Sequence, residues 1–138
     1  MEYQVLDHIL NKQKLPTRFE SLAVDGNFYI TDTSEQVKRF AVCPQEAIPG
    51  KDVRLAFPEL VGLEEVLLSV LEGEQELFEL EEINRFSEHK YEIYINIYII
   101  SETRQKEDKK YLIILIEDVT ERMILKQKLL QRANEANL

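Results

Sequence analysis

Apolar and polar positions divide the chain into segments of two different periods. In residues 2–11, Val5, Leu6, Ile9 and Leu10 recur at helical spacing, and Pro16 limits this N-terminal helix because a residue before proline disfavours the α region. Asp25-Gly26 marks a turn. Residues 27–32 read as a strand, Thr33-Ser34-Glu35 as a polar turn and residues 36–42 as a second strand, together a hairpin. Pro44, Pro49 and Gly50 make residues 43–51 loop or one helical turn, and residues 53–57 form another short turn. From Pro58-Glu59 the pattern becomes helical. Leu63, Val66, Leu67, Val70 and Leu71 fall at i, i+3, i+4, i+7 and i+8, with Pro58 in the first turn and Gly73 at the C-terminal cap.

The period then changes to two. Residues 77–86 form a strand with Phe78 and Leu80 pointing inward, and residues 87–90 form its turn. In residues 91–100, Tyr91, Ile93, Ile95, Ile97 and Ile99 alternate with Glu92, Tyr94, Asn96, Tyr98 and Ile100, the strongest strand signal in the chain. Residues 101–110 read as a charged loop and residues 111–119 as the closing strand, which passes directly into a helix starting at Thr120. Three strands joined by short connections form an antiparallel meander, since parallel pairing needs a crossover. An antiparallel sheet with one wet face should be polar on that side. Here Tyr94, Tyr98 and Ile100 crowd the outer face, and both parities of residues 111–116 are apolar. The sheet is therefore expected to be covered twice: by the helix of residues 63–71 on one face, and by the N-terminal helix or a second copy of the chain on the other.

Composition and charge narrow the partners. The 138 residues suffice for one domain with a real core, and the apolar share of 44% is that of a globular protein. Asp and Glu outnumber Lys and Arg by 26 to 17, for a net charge of −9, which argues against nucleic acid or an anionic membrane as partner. The lone Cys43 allows no internal disulfide and fits a reducing cytoplasm. There is no signal peptide, and the apolar runs are too short to span a bilayer. The last helix ends without a capping Gly, so the native polypeptide is expected to continue. Chemistry is sparse. His8 and His89 stand apart, no nucleophile has a base at a recognisable spacing, and neither a phosphate loop nor a Cys/His metal pattern occurs. Cys43-Pro44 reads as a structural cysteine ahead of a haem ligand. The acidic residues between 72 and 82 read as a solvated strand edge, which also discourages edge pairing. The chain is not expected to be an enzyme.

The junction Asp118-Val119-Thr120-Glu121-Arg122 carries the sharpest local signal. Asp118 and Thr120 can each cap the emerging helix through a side-chain oxygen, Asp118 and Glu121 have capping-box spacing, and Asp118 and Arg122 can pair at i, i+4. Beyond it the helix offers two short seams: Val119, Met123, Lys126, Leu130, Ala133 and Asn137, or Leu125, Leu129, Arg132 and Ala136. Neither encodes a strong coiled coil.

From Phe28 to Arg122 the order of features resembles a PAS domain: a first strand ending in Asp32, a Gly50-Lys51 step before Phe57-Pro58, a helix closing with Leu71-Glu72-Gly73, the meander, and a terminal Asp-Val-Thr. The chain departs from that pattern at Ala41, where an Asn is usual, and in a shortened segment before Gly50. This makes it similar to variant PAS domains of bacterial sensor histidine kinases and nucleotide cyclases, including the PAS-like domain that accompanies haem-nitric-oxide-binding sensors. The flavin-adduct cysteine motif of light-sensing PAS domains is absent. The resemblance implies an α+β fold: a five-stranded antiparallel sheet with helices on one face, an N-terminal flanking helix and linker (1–24), a PAS-like body (25–119) and a C-terminal signalling helix (120–138). It implies a homodimer whose interface includes Val5, Leu6, Ile9, Tyr94, Tyr98, Ile100, Ile113 and Leu115. Asp118, Thr120, Glu121 and Arg122 would couple the sheet to a downstream kinase or cyclase domain. No cofactor is expected. The alternative is a sensing domain with haem or another small ligand in a pocket lined by Leu63, Leu67, Val70, Phe78, Leu80, Ile93, Ile95 and Ile97.

Overall fold

The computed structural model describes residues 19–86 and 91–136. The expected N-terminal helix, with Val5, Leu6 and Ile9, and the turn at residues 87–90 lie outside these. Five strands form one antiparallel sheet: β1 (Phe19–Val24), β2 (Ile30–Thr33), β3 (Phe78–Phe86), β4 (Glu92–Arg104) and β5 (Lys109–Asp118). Their order across the sheet is β2-β1-β5-β4-β3, so the last strand sits in the centre and its end is held from both sides. Between β2 and β3 the chain crosses one face as 3-10 turns at Val37–Phe40, Pro44–Glu46 and Pro58–Leu60, with short helix α1 (Val53–Ala56) and helix α2 (Glu64–Leu71). Helix α3 (Thr120–Ala136) leaves directly after β5.

The meander stands where its alternation places it, with Ile97 opposite Ile116 and Ile99 opposite Ile114. It is longer than expected, because β4 and β5 run into the charged segment and only residues 105–108 turn. The front of the chain requires correction. β1 lies in the segment assigned to flanking helix and linker, where it pairs with β5 from Phe19 opposite Glu117 to Val24 opposite Leu112. Residues 36–42 are not a strand. Val37 and Phe40 are each 1% exposed, and their i, i+3 spacing fits the 3-10 turn that folds the chain back over the sheet. The Glu20 carboxylate accepts the Gln36 N–H at 2.6 Å and the Ser34 hydroxyl at 3.0 Å, meeting backbone and side-chain donors that a ladder would otherwise engage. The hairpin is thus β1–β2, closed by an Asp25 carboxylate that accepts the N–H groups of Asn27 and Tyr29.

Helix α2 begins later than its pattern suggests. Gly62, at φ 90°, breaks the chain between the Pro58–Leu60 turn and Glu64. Its end is as expected: Gly73, at φ 85°, donates to Val70 O at 3.1 Å and Glu74 donates to Ser69 O at 2.9 Å, a Schellman closure. Leu67 and Val70 pack from α2 onto Ile95, Ile97 and Ile114, together with the fully buried Phe57 and nearly buried Phe40. On the opposite face Tyr98 and Ile100 form a smaller cluster with Phe19, Leu77, Ile113 and Leu115. Both faces are apolar, as their parity demands.

Candidate functional site at the strand-to-helix junction

At the end of β5 the chain passes from strand to helix across one residue, Val119. Its N–H donates to Tyr94 O at 2.8 Å, and its carbonyl accepts the Met123 N–H at 2.9 Å, so the first helical bond follows the last sheet bond directly. The Asp118 Oδ1 accepts from the Thr120 N–H at 3.0 Å and from its hydroxyl at 2.6 Å. That hydroxyl in turn accepts the Tyr94 N–H at 3.0 Å. Both backbone polar groups of Tyr94 are therefore committed to the junction. Asp118 caps as expected, whereas Thr120 uses its oxygen to join helix to sheet. The ion pair expected between Asp118 and Arg122 is not the one formed. Arg122 reaches Glu117 Oε1 at 3.3 Å, and Asp118 faces Arg39 at 3.7 Å. Glu121 is exposed.

Glu117 is the group that sequence reasoning missed. It is fully buried, on the outer face. A carboxylate removed from water requires partners, and its Oε1 accepts from Tyr98 Oη at 2.8 Å, Asn96 Nδ2 at 3.4 Å and Arg122. Asn96, 4% exposed, stands directly opposite Glu117 in the β4–β5 ladder. Its Oδ1 accepts the Glu82 N–H at 2.8 Å. Glu82 has φ 57° and sits where the β3–β4 register shifts between Leu80 and Ile83. Such a bulge re-aims side chains, and the Glu82 carboxylate accepts from Lys126 Nζ of α3 at 2.9 Å. The result is a polar chain through Glu82, Asn96, Glu117 and Arg122, with Lys126, one helical turn on, reaching back to Glu82. Beside it lies a pocket of about 240 Å³ lined by Glu81, Glu82, Asn96, Val119, Arg122 and Met123. The available signal was the polar pair Asn96 and Glu117, Asn96 set between Tyr94 and Tyr98 and Glu117 after Ile113 and Leu115 on the same face.

The other expected site residues divide. Leu63, Leu67, Val70, Phe78, Leu80, Ile93, Ile95 and Ile97 do come together, as parts of one packed core. Of the expected dimer residues, Tyr98 is fully buried and Ile100 is 8% exposed within the single chain. Tyr94 is half-buried, with its hydroxyl on Glu92 at 2.9 Å and Gln127 at 3.5 Å. Ile113 and Leu115 are half-buried.

Two further charged clusters fix the front of the fold. Arg54 lies over the Phe28 ring and pairs with Asp52 at 2.7 Å and Glu64 at 3.3 Å. Its hydrogen bond holds the Asp52 carboxyl below the usual range. Arg85, 8% exposed, donates to Phe40 O at 2.8 Å and forks onto both oxygens of Glu59. Among the described residues no group of His, Cys, Asp and Glu is placed to hold a metal ion, and no helix is long and apolar enough to cross a membrane.

No protein-family model matches the sequence, and no curated protein does. Solved structures do. The PAS domain of the histidine kinase ThkA superimposes with a TM-score of 0.51 at 20% identity, covering 73% of this chain and all of that one. A sensory-box sensor histidine kinase from Vibrio cholerae gives 0.52 at 18% identity over 86% of this chain and 91% of that chain. The PAS domain of BvgS from Bordetella pertussis gives 0.52 at 19% identity over 96% of this chain and 98% of its own. With its strand order, one-sided helical layer and exit helix, this chain has the fold of a PAS domain.

Proposed function

We propose that the chain is a non-catalytic signal-transduction module of a multidomain sensor, acting as a homodimer and passing changes in its sheet through α3 to a kinase or cyclase domain. The observation that carries this reading is the junction. Tyr94 of β4 holds the first turn of α3 through both its backbone groups, while Glu117 holds Arg122, so β4 and β5 cannot shift without turning the helix root. The PAS domains of histidine kinases that share the fold give the reading its context. A pocket-based sensor finds less support, because Phe57 and Phe40 already occupy the apolar space beneath the helical layer.

The test is a chimaera in which the domain is joined through α3 to the catalytic part of a histidine kinase. Thr120→Val and Arg122→Ala should each shift basal autophosphorylation several-fold while the domain stays folded. Output indifferent to both substitutions would overturn the transmission role. Sedimentation of the isolated chain tests the homodimer separately, and a monomer at high micromolar concentration would refute it.

A further inference from the structure

The first two turns of α3 lie along the outer face of the sheet, yet none of the helix's described residues is buried. Its side-chain contacts to the sheet include Thr120 to the Tyr94 N–H, Arg122 to Glu117, Lys126 to Glu82 and Gln127 to Tyr94 Oη. Met123 is half-buried and lines the pocket beside Glu81 and Glu82. Leu125 and Leu129, on another side of the helix, are 47% and 56% exposed. At 100° per residue, Met123 and Lys126 share the stripe that meets the sheet, Leu130 continues it clear of the sheet at 56% exposure, and Leu125, Leu129 and Ala136 share a second. Docking therefore occupies the start of one of the two seams and leaves the other open.

We propose that Lys126–Glu82 and its neighbours form a releasable polar latch, which decides whether Met123, at the start of its stripe of α3, is covered by its own sheet or exposed. Helices that bury an apolar face on their domain detach at the cost of that burial. Beyond the Thr120 and Arg122 contacts at its root, this one is held by an ion pair whose members are 55% and 47% exposed, a contact that salt screens and that contributes little by itself. Glu82 is the element that makes the latch specific: only the bulge, with its left-handed residue, brings that carboxylate to the helix. The latch deepens the transmission reading, on which its regulatory meaning rests, because it gives α3 two states that differ in the stripe they present.

The experiment measures thiol labelling in a Cys43→Ser background, with single probes Met123→Cys and Leu125→Cys. Met123→Cys should label slowly and Leu125→Cys fast. Glu82→Gln, Lys126→Glu or raised salt should speed labelling at position 123 by roughly three-fold, with position 125 unchanged. The exchanged pair Glu82→Lys/Lys126→Glu should restore the slow rate. Equal rates at the two positions, or a position-123 rate indifferent to these changes, would overturn the latch. If Met123→Cys does not fold, peroxide oxidation of the native Met123, followed by mass spectrometry, reads the same accessibility. Because these measurements need no output domain, the latch can fail while the chimaera succeeds, and the reverse.

Discussion

At the scale of single residues, the buried carboxylate of Glu117 outweighs the exposed charges around it. Removing one partner from a buried hydrogen-bonded group leaves the others unsatisfied, so Glu117→Ala should cost about 2–3 kcal/mol in a urea melt. Glu117→Gln, which keeps an acceptor for Tyr98 Oη, should cost less. A smaller loss for Ala than for Gln would show that the network contributes no stability. Asp52 makes a different prediction. Its carboxyl, held below the usual value of 3.8 by its hydrogen bond to Arg54, stabilises the fold fully above that value and progressively less as pH falls through the folded-state value. Stability should therefore decline on acidification below about pH 4, and Asp52→Asn should flatten that decline while lowering stability at neutral pH. An unchanged slope in thermal melts between pH 5 and 3 would contradict it. These roles were unevenly legible in the sequence. The cap at Asp118 could be read because capping is local. The Glu117–Arg122 pair could not, since it depends on Asn96 and Tyr98 arriving from a neighbouring strand.

At the scale of elements, legibility followed the strength of periodicity. β4 was readable because its isoleucines alternate with Tyr94, Asn96 and Tyr98, which leaves no helical solution, and β5 because it is a continuous apolar run of strand length. β1 was not: Phe19-Glu20-Ser21-Leu22-Ala23-Val24 is short and mixed, and it is a strand because β5 offers it a central position beside itself. Residues 36–42 misled because Val37, Phe40 and Val42 are strand-forming residue types, although Val37 and Phe40, three apart, would lie on opposite faces of a strand and share one side of a turn. The end of α2 was explicit. Gly73 sits at φ 85° with open space where a Cβ would stand, so Gly73→Ala should destabilise through the backbone alone, by about 1 kcal/mol. Gly26, at ordinary φ and with Leu71 Cδ2 3.5 Å from a built Cβ, should tolerate alanine better. Denaturant midpoints of the two variants decide the comparison.

At the scale of the whole molecule, the helical layer is attached to the far edge of the sheet through Arg85. Its guanidinium joins β3 to the carbonyl of Phe40 and the carboxylate of Glu59, contacts far apart in the chain. Arg85→Ala should therefore lower stability by about 3 kcal/mol, as expected when a buried pair loses one member. The more exposed Arg54→Ala should cost clearly less. Equal losses would mean that the front layer holds on without the Arg85 fork. The junction has a consequence of another kind. The amide proton of Tyr94 is bonded to a side-chain oxygen of α3, while its neighbours in β4 are bonded to backbone carbonyls of the sheet. Rotation of the Thr120 side chain or departure of the helix root frees that one proton with the sheet intact. In deuterated water Tyr94 should thus exchange far sooner than Ile97 or Ile99. A single backbone position would then time the opening of the exit helix, independently of global unfolding.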